Sequence, residues 1–374
     1  MQVLKNILCI FVIMFFSSCS HIENTENAKQ IENVNKVPVA NIYEGYEELQ
    51  GKSFGNAFTM PDKITPVTPD SLYSFTCKKK SLMDEEQESK HYFRNMVGDS
   101  YDESCFHKER DNVYSYIGKD GFTMYFANGC PINAYINGAV LAGSNALEDL
   151  GEYDPVMDND ASLELKNGTY TIGEVCSDLT EQISKAFYPL YEGFEMYPYH
   201  VTYILDNNME KAAEITYGVK YKGLSLEVQS SPLFEIEQRD GYQVVTNYSP
   251  SHMLFDVDTK GSIRFFTSRF APRDLETTEV HEMISLQGAV DILKDNLAEN
   301  SNYKFTDVKL YYCCKEYGPT ATDNEELNSR MNEDFKDAPL PEFEPTWVFY
   351  WNKEDKRYDV KVNAVTGEIT VEAR

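Results

Sequence analysis

The feature that most constrains this chain is a recurring alternation of large apolar and polar residues. In Met196–Leu205, Tyr197, Tyr199, Val201, Tyr203 and Leu205 fall on one parity, and Ile215–Tyr221 and Leu224–Val228 alternate likewise. A period of two puts one set of side chains on one face of a strand. Tyr (26) and Phe (21) bring the aromatics to 13% of 374 residues, and aromatic residues favour strands. The same pattern predicts strands at Ser71–Cys77, Ala134–Ile136, Leu163–Leu165, Gln243–Asn247, His252–Asp256, Ser262–Ser268, Thr306–Cys313, Trp347–Trp351, Tyr358–Asn363 and Ile369–Glu372. Val113–Ile117 and Phe122–Phe126 flank Gly118-Lys119-Asp120-Gly121 and predict a hairpin. Lys78–Lys90 reads as a charged loop or short helix, and Glu148–Asp160 as an acidic, turn-rich connection.

Two stretches change period. Thr171 and Glu174 have the spacing of a capping box, and Ile172, Cys176, Leu179, Ile183, Phe187 and Leu190 follow at helical steps. Met283, Leu286, Val290, Leu293 and Leu297 form a second stripe, with Ser285 as its N-cap. Each predicted helix precedes antiparallel strands. The expected class is therefore α+β: β-rich antiparallel sheets, each packed by an amphipathic helix, in two units of one order.

The N-terminus carries a different signal. Lys5 precedes an apolar run, Ile7–Phe16, too short to span a bilayer, which needs about 20 residues, but right for a secretory leader. Phe16-Ser17-Ser18-Cys19 resembles the bacterial lipobox, which implies lipidation of Cys19 and anchoring at the extracytoplasmic face of a bacterial membrane. His21–Lys36 is polar and almost free of large apolar residues, a composition that disfavours a packed core and suits a tether.

The formal net charge of −27 argues against nucleic acid and anionic lipid as partners; it suits solubility, divalent cations or a basic partner, and reads first as a solvated acidic surface. Of eight cysteines, Cys9 belongs to the leader and Cys19 to the lipobox. Export permits disulfides among Cys77, Cys105, Cys130, Cys176, Cys313 and Cys314, with the pairing open. Adjacent Cys313 and Cys314 would point to opposite faces of a strand.

Complete chemical motifs are missing. His281-Glu282 begins like a zinc-peptidase helix, but Ser285 stands where the second histidine is required. Gly51-Lys52-Ser53 lacks the first glycine of a phosphate loop, because Tyr46 occupies that position. Asp256-x-Asp258-x-x-Gly261 starts like a calcium loop, but Lys260 takes a ligand position and a hairpin turn fits better. Asp158, Asp160 and Glu152 read as solvated acids. There is no Gly-x-Ser-x-Gly elbow and no Cys-x-x-Cys pair. No catalytic residue, metal ligand or cofactor is therefore assigned. Trp347 and Trp351 share a parity with Phe349, which reads as core; exposed, they would form a stacking platform for sugar or peptide.

Pro345-Thr346-Trp347-Val348-Phe349-Tyr350-Trp351, followed by Tyr358-Asp359-Val360-Lys361-Val362-Asn363-Ala364-Val365-Thr366-Gly367-Glu368-Ile369, resembles the end of PepSY-like domains. With the lipobox and the Asp258-Thr259-Lys260-Gly261-Ser262-Ile263 turn, the whole chain resembles a group of clostridial surface lipoproteins. The resemblance implies an inhibitory, binding or regulatory role outside the cell and transfers no catalytic residue. The expected division is a leader at 1–18, a lipidated flexible tether at 19–52, and a β-rich domain at 53–275 with its helix at about 171–192. A PepSY-like domain at 276–374 follows, with an acidic insertion at 315–345. The expected function is a membrane-anchored, non-enzymatic module that binds or regulates a protein or envelope component. The competing reading is an envelope glycan hydrolase or carbohydrate-binding protein using acidic and aromatic residues.

Overall fold

The computed structural model describes residues 35–67, 69, 71–77, 82–110, 113–119, 122–127, 130–136, 145–152, 159–187, 193–205, 211–227, 235–239, 242–246, 253–259, 262–268, 275–299, 301–314, 342–353 and 356–373. In chain order, the first part holds strands β1 (Lys36–Pro38), β2 (Ser53–Phe54), β3 (Phe58–Thr59) and β4 (Leu72–Cys77), then helix α1 (Leu82–Val97). A meander follows: β5 (Phe106–Arg110), β6 (Val113–Ile117), β7 (Phe122–Ala127) and β8 (Cys130–Ile136). Next come β9 (Asn145–Glu152), β10 (Ser162–Leu165), β11 (Gly168–Thr171) and helix α2 (Ile172–Phe187). After it lie β12 (Phe194–Leu205), β13 (Lys211–Tyr221), β14 (Leu224–Ser225), β15 (Glu235–Arg239), β16 (Tyr242–Thr246), β17 (Met253–Thr259) and β18 (Ser262–Ser268). The last part is β19 (Leu275–Val280), β20 (Glu282–Ile284), helix α3 (Leu286–Asn296), β21 (Tyr303–Cys314), β22 (Glu342–Lys353), β23 (Lys356–Asn363) and β24 (Ile369–Ala373).

The larger sheet has ten strands in the order β5-β6-β7-β8-β18-β17-β13-β12-β9, with β14 alongside β13, and every pairing is antiparallel. One register row crosses it: Tyr116, Met124, Ala134, Phe266, Phe255, Ile215 and Val201 stand opposite one another in turn. This is the face that the helices cover. Tyr92 and Phe93 of α1 meet the rings of Phe126 and Tyr116. On α2, the carbonyl of Cys176 accepts a bond from the Tyr217 hydroxyl at 3.0 Å. The α2 stripe is buried at Ile172, Cys176, Leu179 and Ile183. Its capping box is closed: Glu174 N–H donates to Thr171 Oγ1 at 3.1 Å, and Thr171 N–H donates to Glu174 Oε2 at 2.9 Å. The helix ends at Phe187; residues 188–192 lie outside the described set.

The second sheet has eight strands. Its path β19-β4-β22-β21-β3-β2 branches at β22, which pairs with β4 at Glu342–Phe343 and with β23 from Thr346 on. Pro345, with no N–H to give, stands at the fork and accepts from Ala364 N–H. α3 starts as the sequence predicts, with Ser285 Oγ accepting from Gly288 N–H at 3.1 Å. Its stripe is buried at Leu286, Val290 and Leu293, while Met283 precedes the helix in β20.

Several expectations are corrected. Of the two readings of Lys78–Lys90, the helix holds from Leu82 and runs longer than expected, 16 residues to Val97, while residues 78–81 lie outside the described set. The inward stripe of α1 includes Glu85 and Ser89 beside Tyr92 and Phe93, so polar residues mask the helical period. The acidic connection at Glu148–Asp160 begins inside β9. The tether at 19–52 is structured from Lys36 onward: β1 pairs with β20, and Ile42 and Leu49 are buried. A few apolar residues, Val37, Ile42 and Leu49 among them, suffice here because the segment lies on an existing core. β2, β3 and β4 pair within the C-terminal sheet, so a boundary at 275 cuts across it. The final residues of the expected 315–345 insertion, 342–345, belong to β22; residues 315–341 lie outside the described set.

The alternation in Met196–Leu205 is broken by a bulge between Pro198 and His200. Before it, Met196 and Pro198 align with Val219 and Tyr217; after it, Val201 and Tyr203 align with Ile215 and Ala213. Tyr197 therefore lies on the face opposite to Val201 and Tyr203, because one extra residue inverts the parity of everything beyond it. Tyr197 stands opposite Gly218 in β13. A Cβ at Gly218 would lie 2.6 Å from Tyr197 Cζ, so the ring occupies the space a side chain would need. The β13–β14 hairpin turns through Lys222 (φ 50°) and Gly223 (φ 84°), both left-handed, as a two-residue turn with matching twist requires.

Candidate functional site

Cys19 lies outside the described residues. The other two residues singled out by sequence, Trp347 and Trp351, are buried at 0% and 7% exposure. Trp347 donates Nε1–H to the Ile284 carbonyl at 2.8 Å, and the Tyr43 ring meets it edge-on at 5.1 Å. Trp351 stacks on Tyr358 at 5.0 Å and meets Tyr303 at 4.6 Å. The exposed stacking platform is therefore corrected to core. The parity shared with Phe349 is real, but β20 and the segment around Tyr43 cover Trp347 on that face. Their positions far away in sequence hid the cover.

Where the two sheets meet, β4 supplies Phe75. Its ring contacts Phe194, Tyr221, Tyr312 and Phe343 at 4.9–6.3 Å. Beside this cluster, Leu226 bridges to Tyr312, and Glu227 N–H donates to the Tyr312 carbonyl at 2.9 Å. Glu227 forms an ion pair with Lys361 of β23 at 2.9 Å, and both side chains are buried. Asp359 and Glu344 are buried on the same strand parity as Lys361 and its neighbours. Asn363 donates to Glu344 Oε2 at 2.7 Å and accepts from Val365 and Thr366 N–H, which closes the last turn. Sequence reading missed this charged face, since alternation alone cannot tell a buried Lys361 from a solvated one. Burial of charge at such a junction costs several kcal/mol per ion unless the partners are well placed.

The thiols are inward too. Cys105, Cys176 and Cys313 are buried thiols outside any disulfide, and Cys314 is a half-buried one. Burial pushes the Cys176 thiol up to about 12, which keeps it protonated and unreactive. Cys313 packs with Tyr311, Val348 and Tyr350, while Cys314 lies against the main core, so the adjacent pair does point to opposite faces.

Carboxylates gather instead at an open recess of about 470 Å³ at the start of α2, lined by Asp160, Thr171, Glu174, Ser177, Asp178 and Glu181 among others. Local partners occupy three of the acids. Glu174 closes the cap, Asp178 accepts from Gln182 at 2.8 Å, and Lys185 holds Glu181 below the usual carboxylate range. The recess can draw a cationic group by its field. Of Asp158, Asp160 and Glu152, Asp160 lines it, while Asp158 and the side chain of Glu152 lie outside the described set. Among the described residues, no three His, Cys, Asp or Glu side chains are grouped to hold a metal ion. Among them, too, no helix is long and apolar enough to cross a membrane.

No protein-family model matches the chain, and no curated protein matches it. Among solved structures, the Bacillus megaterium YpeB C-terminal domain is a weak structural neighbour. It is 15% identical over 79% of this chain and 98% of that one, with a TM-score of 0.30.

Proposed function

We propose that this protein is a lipid-anchored extracytoplasmic module, without catalytic activity of its own, that binds a basic protein partner. The observation that carries this reading is where the chemistry sits. Trp347, Trp351 and the thiols of Cys105, Cys176 and Cys313 are buried, and carboxylates of Asp160, Glu174, Asp178 and Glu181 border the open recess. A surface of that kind steers and holds cationic groups. The net charge of −27 acts in the same sense. The carbohydrate-binding alternative loses its platform with the burial of Trp347 and Trp351.

The test is photo-crosslinking in intact cells, with a photoreactive side chain replacing exposed Ser177 in the recess or exposed Thr277 on β19. The expected outcome is a discrete protein adduct from at least one position, weakened by raised salt. Adducts absent from both positions, together with release of sugar from envelope polysaccharide by the purified chain, would overturn the reading.

A further inference from the structure

We infer that the free edge of β24 is a docking strand for an extended partner segment that alternates apolar and basic residues. The inference rests on the binding-module reading above and assigns it a surface. Among the described strands, β24 pairs only with β23, so the N–H and C=O groups along its other edge face no strand. Such an edge is a ready template for an added strand.

The register states what would fit. Val308, Phe349, Val360 and Val371 stand opposite one another across β21, β22, β23 and β24. The first three are buried, and Val371 at the end of the row is 53% exposed. An apolar residue in an added strand, placed opposite Val371, would extend the row by one step and cover it. On the other parity, Glu372 is in register with Asp359. A Lys or Arg at that register position of an added strand matches the acidic residue types that the sequence places there. The overall charge of −27 favours the same sign of partner and disfavours a second copy of this chain.

Three other edges are guarded in ways β24 is not. β19 exposes Glu276, Thr277, Thr278 and Glu279. β5 carries the charged run Lys108, Glu109 and Arg110, and β2 is two residues long. Charged or very short edge strands resist pairing.

The probe is a synthetic peptide of alternating valine and lysine, titrated into the full chain at about 0.15 M salt, where long-range attraction is screened. Binding is read by anisotropy, and backbone hydrogen exchange is read over residues 369–373. The expected result is saturable binding with slowed exchange at β24. Val371→Lys weakens it by about tenfold or more, and Val371→Thr, which keeps strand propensity and folding, weakens it less. A peptide of the same composition with its valines and lysines in separate blocks binds weakly. Equal binding of the blocked peptide, indifference to both Val371 variants, or no slowing at β24 would overturn the inference. So would a dimer of the chain itself that Val371→Lys dissolves. An adduct at Ser177 in cells with no peptide at β24 fails the edge and leaves the module reading standing; loss of both fails both.

Discussion

At the scale of single residues, packing geometry and burial decide what each position tolerates. Gly218 has Tyr197 in the space of a Cβ, 2.6 Å from Cζ and 2.7 Å from the hydroxyl oxygen. Gly218→Ala is therefore expected to destabilise by about 1–3 kcal/mol in urea unfolding, the usual range for overpacking. Combining it with Tyr197→Ala should cost clearly less than the two single changes added together, because the second removes the obstacle. Additive costs would show that the ring is not the cause. Glu214, partly buried on β13, titrates above the ordinary glutamate range chiefly because burial disfavours its charge; His200 opposes this. The unfolded chain then releases this proton first. Stability from this group is intact below about pH 4.3 and is lost as pH rises through the raised value. Glu214→Gln should flatten that fall in a series of urea melts across pH, and an unchanged slope would exclude Glu214 as its source. Neither effect was legible in the sequence. Gly218 looks like any strand glycine, and Glu214 like any outward acid, until the bulge at Tyr199 and the neighbouring strands set what each one faces.

At the scale of elements, the legible parts are those whose local signals agree. The hairpin of β6 and β7, the capped start of α2 and the start of α3 at Ser285 follow from spacing, turn residues and caps that all point the same way. Ser285→Ala removes the acceptor of the Gly288 N–H and should cost about 1 kcal/mol in thermal or urea unfolding. Ser285→Asp, which caps as well, should cost little, and equal losses from both would locate the effect outside the cap. The illegible parts are those in which distant packing overrides local pattern. α1 hides its period because Glu85 and Ser89 lie on its buried stripe. Residues 36–52 look like tether, yet β20, α3 and Trp347 give Val37, Ile42 and Leu49 a surface on which to bury. In Phe194–Leu205 the strand itself was legible and its facing was not, since a bulge leaves no obvious mark on apolar alternation. For the candidate site the parity of Trp347, Phe349 and Trp351 was readable, and the side that would be covered was not.

At the scale of the whole molecule, β2, β3 and β4 share one sheet with β19 and β21–β24, and Phe75 and the Glu227–Lys361 pair tie that sheet to the larger one. Lys361→Met takes away the cation 2.9 Å from a buried carboxylate and should cost about 3–5 kcal/mol, while Lys361→Met with Glu227→Leu should recover much of the loss. Denaturant titrations followed by both tryptophan fluorescence and far-UV circular dichroism check this; a double variant no better than Lys361→Met would deny the pair its role. The shared core also explains why a domain boundary drawn from sequence at 275 fails as a line of separation: β4 reaches across it to β19 and β22. The functional account further requires that this body be held at a membrane through Cys19 and face outward. Membrane fractionation of cells expressing the wild-type chain and Cys19→Ala, with external protease added to intact cells, tests this most directly. We expect the wild-type chain in the membrane pellet and open to protease, and Cys19→Ala in the soluble fraction. Cys19→Ala remaining in the pellet, or a wild-type chain shielded from external protease, would contradict the account.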